Sequence, residues 1–335
     1  MESTRITMSG CTETGKPRIA ILMAVYEPRM DWLREQLLSL NNQTYPNLML
    51  YVRDDCSPTV PYEEIQKCVR ECITNFPYVM TRNERNLGSN LTFQQLTQEA
   101  EGTYFAYCDQ DDIWLPEKLT VLKEKIRQSG ALLVCSDMYV IDGKGKQVAD
   151  SITKVRRRQR LLSGDNLAEG LLFHNFVTGC TMLVSATEAK AAIPFCPYMV
   201  HDQYLALWCA ERGNIISVMQ PWIRYRIHGG NQTGILAGVT DKKSYYQTRI
   251  IGTIQKMEWL NDHMSETDEI TVEKLQDGLK WAKARKQHWN HQGGLFTICK
   301  LYRFGPLTTL FETVANYLPN QAFQWVIRIR KRMSM

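Results

Sequence analysis

Apolar and polar positions alternate in two rhythms along the first 130 or so residues. The run RIAILMAV (18–25) is continuously apolar, as a buried strand requires. MDWLREQLLSLNNQ (30–43) then places Trp32, Leu33, Leu37, Leu38 and Leu40 on one helical face. LMLYVR (48–53) predicts a second strand, residues 62–74 a helix, and YVMT (78–81) a short strand. RNLGSN (85–90) opens a helix reaching about Ala100, and TYFAYC (103–108) predicts the next strand. Pro116 suits the first turn of a helix through KLTVLKEKIRQ. Strands alternating with helices in this way predict a parallel sheet covered on both faces.

The next part is less regular. ALLVCSD (131–137) and MYVID (138–142) read as two strands with a turn at Asp142-Gly143, and the basic segment KVRRRQR (154–160) as a mobile loop. A helix is expected near 166–173, a strand over GCTMLVS (179–185), and a helix opening at His201-Asp202-Gln203-Tyr204. ISVM (216–219) predicts a strand leading to WIRYRIHGGNQTG (222–234). From about Thr240 the pattern is helical to the end. The expected organisation is a polar leader (1–17), a catalytic domain (18–238) and a helical extension (239–335).

Carboxylates gather where predicted strands end. Asp54-Asp55 follows the second strand, and Asp109, Asp111 and Asp112 fall within YCDQDDIWLPEKL after the strand TYFAYC. Ligands of such sheets bind outside the carboxyl ends of the strands, so both clusters can face one crevice. Crowded carboxylates repel one another unless a cation or a hydrogen-bond network compensates. Oxygen-rich sets of this kind suit Mg2+ or Mn2+. The alternative is structural, with Asp111 or Asp112 capping the helix that follows Pro116. Asp202 likewise reads either as a helix cap or as a general base, and His228, flanked by Gly229 and Gly230, as structural or as a metal ligand.

Composition narrows the class. No window of 18 apolar residues predicts a membrane span, and the N-terminal residues lack a signal-peptide core, which favours a cytoplasmic protein. The ten cysteines are scattered through apolar runs without a CxxC, and read as reduced, packed thiols. The net charge of +5 is concentrated in KVRRRQR and IRIRKRM (327–333), pointing to an anionic partner there. Nucleic acid is disfavoured, since no recognition motif accompanies these tracts.

Six stretches in order resemble family 2 glycosyltransferases, the inverting enzymes of GT-A fold, and within them a bacterial rhamnosyltransferase-like branch. They are MAVYEPRMDWLREQLLSLNNQTY, RDDCSP, NERNLGSNLTFQQL with CDQDDIWLPEKL, NFVTGCTMLV, HDQYLALWCA and YRIHGGNQTG. The resemblance implies a Rossmann-like nucleotide-sugar domain with a mixed central sheet, plus a helical C-terminal region. It assigns Asp54, Asp55, Asn86, Gly88 and Asp109 to the nucleotide-sugar, Asp111, Asp112 and His228 to Mn2+ or Mg2+, and Asp202 to general-base catalysis. His201, Thr178 and Gly179 would lie toward the acceptor. The implied donor is dTDP-rhamnose, with a UDP-sugar as the alternative, and the acceptor a saccharide or a lipid-linked saccharide of cell-surface polysaccharide synthesis. A non-catalytic sugar-nucleotide-binding subunit, alone or in an oligomer, is the competing reading. The tail FQWVIRIRKRM (323–333) is basic and amphipathic, which suits contact with the inner membrane surface.

Overall fold

A computed structural model describes residues 4–6, 15–156, 159–228, 236, 238–264 and 269–332. It carries ten strands in one mixed sheet: β1 (Thr4–Ile6), β2 (Ile19–Val25), β3 (Leu48–Asp54), β4 (Tyr78–Arg82), β5 (Tyr104–Cys108), β6 (Ile113–Trp114), β7 (Leu133–Ile141), β8 (Gln147–Ala149), β9 (Met182–Ser185) and β10 (Ile215–Arg226). Their order is β1-β4-β3-β2-β5-β9-β7-β10-β6, with β8 hydrogen-bonded to β7 off this path. The neighbours β4, β3, β2 and β5 are parallel, as are β7 and β10. β9 is antiparallel to both β5 and β7. The two parallel groups therefore point the same way, and their carboxyl ends share one edge of the sheet. β1, β6 and β8 run antiparallel to their partners.

Packing explains why this sheet forms. Ile19, Ile21, Met23, Leu50 and Val52 are buried from β2 and β3, together with Leu33, Leu37 and Leu40 of α1 (Met30–Asn41). α2 (Tyr62–Cys72) adds Ile65, Cys68, Val69 and Cys72 to the same core. α3 (Ser89–Glu99) begins at Gly88, whose φ of 80° an L-residue rarely adopts, and α4 (Lys118–Ser129) ends at Gly130 in the left-handed region. The short helices α5 (Ile152–Val155), α6 (Ala168–Phe173) and α7 (Ala186–Ala191) and the longer α8 (His201–Arg212) complete the part before Ile215.

Several expectations are corrected. The sheet is mixed, as the family resemblance implies, and only the strand–helix alternation read by itself pointed to a wholly parallel one. The two strands expected over 131–142 are one, β7 (Leu133–Ile141), because it is buried along nearly its whole length and no turn residue interrupts it; the turn at Asp142 follows. The strand expected at 216–219 runs on through Arg226, with irregular register against β7 around Pro221. GCTMLVS opens with a 3-10 turn (Gly179–Thr181) before β9. Within the leader, β1 pairs with β4. The first two residues of KVRRRQR close α5, and residues 157–158 lie outside the described residues, as do 229–234 of the HGGNQTG stretch.

Contacts divide the chain into two units. One comprises residues 1–167, 175–195 and 200–228 and holds the sheet; the other comprises 168–174, 196–199 and 229–335. The second unit is helical, with no strand among its described residues. It contains α6, α9 (Lys242–Tyr245), a π-helical turn (Tyr246–Ile251), α10 (Gly252–His263), α11 (Glu269–Trp289), α12 (Leu295–Lys300), α13 (Pro306–Ala315) and α14 (Asn320–Arg332). Aromatic packing of Tyr245, Trp289, Phe311 and Phe323 forms one core there. Beside it lies a buried ion pair: Arg285 donates from Nε and Nη2 to the two carboxylate oxygens of Glu312, at 2.8 and 2.6 Å. Tyr245 donates its hydroxyl to the same carboxylate, at 2.8 Å.

Candidate active site

Every acidic cluster singled out in the sequence lies at the carboxyl edge of the sheet. At the end of β3, Asp54 is fully buried and accepts from the Ser57 amide and hydroxyl while pairing with Arg82 at 3.0 Å. Asp55 accepts from Asn83 Nδ2 at 2.7 Å and from the amides of Leu87 and Gly88, both at 2.8 Å. These carboxylates are thus occupied within the protein: Asp54 closes the turn after β3, and Asp55 ties down the loop that precedes α3. Asn86 is exposed at the tip of that loop, beside Leu87. Asn83, which the sequence reading did not single out, is buried and links Asp55, Arg53 and Thr92.

The turn after β5 is held differently. Gln110 pairs with both main-chain groups of Tyr26 at the end of β2, accepting at 2.8 Å and donating at 3.0 Å. Asp111 Oδ2 lies 2.6 Å from His228 Nε2, and the His228 ring packs on Trp32 with centroids 4.9 Å apart. Asp112 accepts from the Arg226 amide at 2.9 Å. The Arg226 guanidinium, itself buried, donates to the Asp111 carbonyl at 2.7 Å and to Glu35 of α1 at 2.5 Å. The capping alternative is therefore excluded for both aspartates. α4 starts from Glu117 with no side-chain cap, because Asp111 and Asp112 are turned toward β10.

Below this turn the environment is dry and charged. Asp109, Asp112 and Cys180 bring their donor atoms within 4.8 Å of one another. Burial, and then the neighbouring Asp111 and Asp202 carboxylates, raise Asp109 to about 7. Burial and the same crowding push Asp112 well above the usual carboxylate range, and its Oδ2 is buried without a hydrogen-bond partner. Cys180, also driven far up by burial, is held protonated and makes a poor ligand for a hard cation. Lys118 supplies the compensating charge. Its Nζ donates to the Cys180 carbonyl at 2.6 Å and lies over the Trp114 ring, and burial lowers its pKa to about 7. The donors left for a divalent ion are thus Asp111 and His228, which face each other at 2.6 Å, beside Asp109. The crowding of Asp109 against Asp111, which helps raise its pKa, is what a divalent cation there would relieve.

Asp202 sits in the first turn of α8, whose N-cap is Val200, so it is not the cap. Its Oδ2 accepts from the Gly179 amide at 2.9 Å, and its Oδ1 from Asn175 at 3.0 Å and from the Gln203 amide at 2.6 Å. Burial outweighs these bonds and raises its pKa to about 6. His201 packs against both Phe93 and Tyr107, with ring centroids 4.1 and 5.1 Å away, and burial holds it neutral by lowering its pKa to about 3. Its side chain belongs to this aromatic cluster rather than to an open acceptor surface. Thr178 uses its carbonyl to close the 3-10 turn that presents Gly179.

Gly179 has a steric reason. A Cβ built there would lie 2.7 Å from His201 Nε2 and 3.6 Å from Asp202 Cβ. The ring is buried against Phe93 and Tyr107, so making room for the methyl group would disturb that packing. Gly179→Ala is therefore expected to cost about 1–3 kcal/mol through overpacking. Because the strain falls on the amide that orients Asp202, turnover should fall further than melting temperature predicts. Wild-type turnover in a folded Gly179→Ala protein would remove this coupling.

Sequence reasoning missed Arg226, Lys118 and Asn83. The available signal was slight: Lys118 and Arg226 read as ordinary basic residues beside apolar runs, and only their burial reveals internal cations.

Residues 20–188, just over half of the chain, match the family described as Glycosyl transferase family 2. An uncharacterized glycosyltransferase of Methanocaldococcus jannaschii is 30% identical over 134 residues, covering 40% of this chain and 46% of that protein. WcaA of Escherichia coli, named as a glycosyl transferase of colanic acid biosynthesis, is 31% identical over 131 residues, covering 37% and 44%. The chain thus spans less than half the length of these two relatives. In structure it is similar to residues 1–349 of S. aureus TarS in complex with UDP-GlcNAc. The TM-score is 0.57 at 15% identity, over 94% of this chain and 92% of that one. This likeness bears out the GT-A arrangement of sheet and helical C-terminal region. The chain belongs to glycosyl transferase family 2.

Proposed function

We propose that this protein transfers a sugar from a nucleoside-diphosphate donor to a hydroxyl of a saccharide or lipid-linked acceptor, inverting the anomeric centre. The observation that carries the reading is Asp202: a buried carboxylate, oriented by three donors and poised near pH 6, electrostatically coupled to Asp109 at the same edge of the sheet. A base of that pKa is largely ionised at neutral pH and accepts the acceptor proton as the hydroxyl attacks. Asp111 and His228, with Asp112 beside them, would hold Mn2+ or Mg2+, which would supply positive charge against that developing on the leaving diphosphate. Arg226 keeps the Asp111 carbonyl and the Asp112 carboxylate fixed, so the turn does not rearrange during transfer. Asp55 serves the donor indirectly by ordering the Leu87–Gly88 loop, whose exposed Asn86 is left to meet the nucleotide.

For the donor we propose dTDP-rhamnose, on the likeness of NERNLGSN, CDQDDIWLPEKL and YRIHGGNQTG to the rhamnosyltransferase-like branch. The second reading is a UDP-sugar, favoured by the UDP-GlcNAc complex of the structurally similar TarS. Place in cell-surface polysaccharide synthesis follows the names of WcaA and of TuaG of Bacillus subtilis, a relative named for teichuronic acid biosynthesis.

Thermal-shift titration with dTDP, UDP and GDP, each with Mn2+, Mg2+ or EDTA, separates these readings. A metal-dependent shift selective for dTDP is expected, and Asp111→Asn should abolish the metal dependence. Selectivity for UDP moves the donor to a UDP-sugar. The absence of any nucleotide shift overturns both donor readings.

A further inference from the structure

α13 is built inside out. Its inward positions carry Thr309, Glu312, Ala315 and the following Asn316, all buried. Its outward positions carry Leu310, Val314 and the following Tyr317, exposed by 69%, 58% and 65%, with Leu307 continuing the stripe. A surface helix ordinarily turns such residues the other way. Glu312, the only charge on α13, is neutralised by Arg285 on the inner side, so the outward face is uncharged. α14 extends the theme with Trp325 exposed by 63%, and Arg330 places its guanidinium 5.2 Å from the Phe311 centroid, next to the stripe. From residue 278 to 335 there are ten Lys or Arg and one acidic residue, Glu312. The +5 excess of the whole chain therefore resides there, and the preceding residues are net acidic.

We propose that the outward face of α13, with Trp325, Arg328 and Arg330 of α14, docks on an anionic lipid surface. An exposed apolar stripe bordered by cations matches the boundary between headgroups and acyl chains. A second copy fits poorly, because it would bring two strongly basic segments face to face. An acidic membrane supplies both the apolar phase and the countercharge. The proposal makes no use of the transferase reading and stands or falls separately from it.

The test is co-sedimentation of the full chain with phosphatidylcholine vesicles, with and without phosphatidylglycerol. Binding is expected only with phosphatidylglycerol. Arg328→Gln with Arg330→Gln should weaken it about thirty-fold, each basic side chain near an anionic surface being worth roughly a factor of five. Leu310→Asp and Val314→Asp should each weaken it about tenfold or more through lost apolar burial. Since these side chains are exposed, the melting temperature should hold, which separates docking from folding. Equal binding to both vesicles, no binding, or binding unchanged in the variants overturns the proposal. So does a lipid-free dimer that Leu310→Asp converts to monomer, which would assign the stripe to a second copy.

Discussion

Replacing Asp202 by Asn should lower kcat by about 10²–10⁴-fold while nucleotide affinity persists. The substitution keeps the size of the side chain, and its Oδ1 can still accept from Gly179 or Asn175, but it removes the basic oxygen. Stability should change much less than activity: the amide nitrogen meets an N–H where a carboxylate oxygen accepted one, which costs, while a charge that burial disfavours is removed. The pKa of Asp202 is raised in the folded state to about 6, so the native protein binds a proton more readily than the unfolded chain between the ordinary carboxylate value and that pH. Above it, the ionised carboxylate opposes folding, and the neutral amide does not. The pH profile gives a second check. Wild-type kcat should decline as pH falls through about 6, because the base is protonated there, and the Asn variant should lose that limb. Near-wild-type turnover in folded Asp202→Asn protein, or an unchanged acidic limb, would remove Asp202 from the base role.

Replacing Arg285 by Met should destabilise the helical unit by about 3–5 kcal/mol. Glu312 and Tyr245 would then share a buried site with no countercharge, and that burial cost is what the mutation exposes. The double variant Arg285→Met with Glu312→Leu should recover most of the loss, because a buried pair can be exchanged for apolar packing at little net cost. Urea denaturation of the wild type, both single variants and the double completes the cycle. A double variant as unstable as Arg285→Met alone would show that the pair stabilises through its own bonding rather than by mutual neutralisation.

The parts of the fold legible in the sequence are those written in local pattern. β2 to α4 announce themselves through continuous apolar strands, one-sided helices and punctuating Gly and Pro, and the aspartates at strand ends follow from that alternation. β6 was not legible, because two residues carry no periodicity; it exists because β10 passes alongside Ile113 and Trp114. The role of Arg226 depends on partners 115 and 191 positions away, Asp111 and Glu35, which no local rhythm encodes. Asp54 and Asp55 show the reverse difficulty. Their position was legible, but that their carboxylates are consumed by Ser57, Arg82, Asn83 and the Leu87–Gly88 amides became visible only once the loops were placed.

Arg226 carries a consequence for engineering. It reaches α1, the β5 turn and its own strand at once, through the main chain as well as the guanidinium. Lysine could replace the charge but not the divergent donors. Glu35 and Arg226 are therefore one linked position, and libraries that explore new geometries of the acidic turn should vary them together.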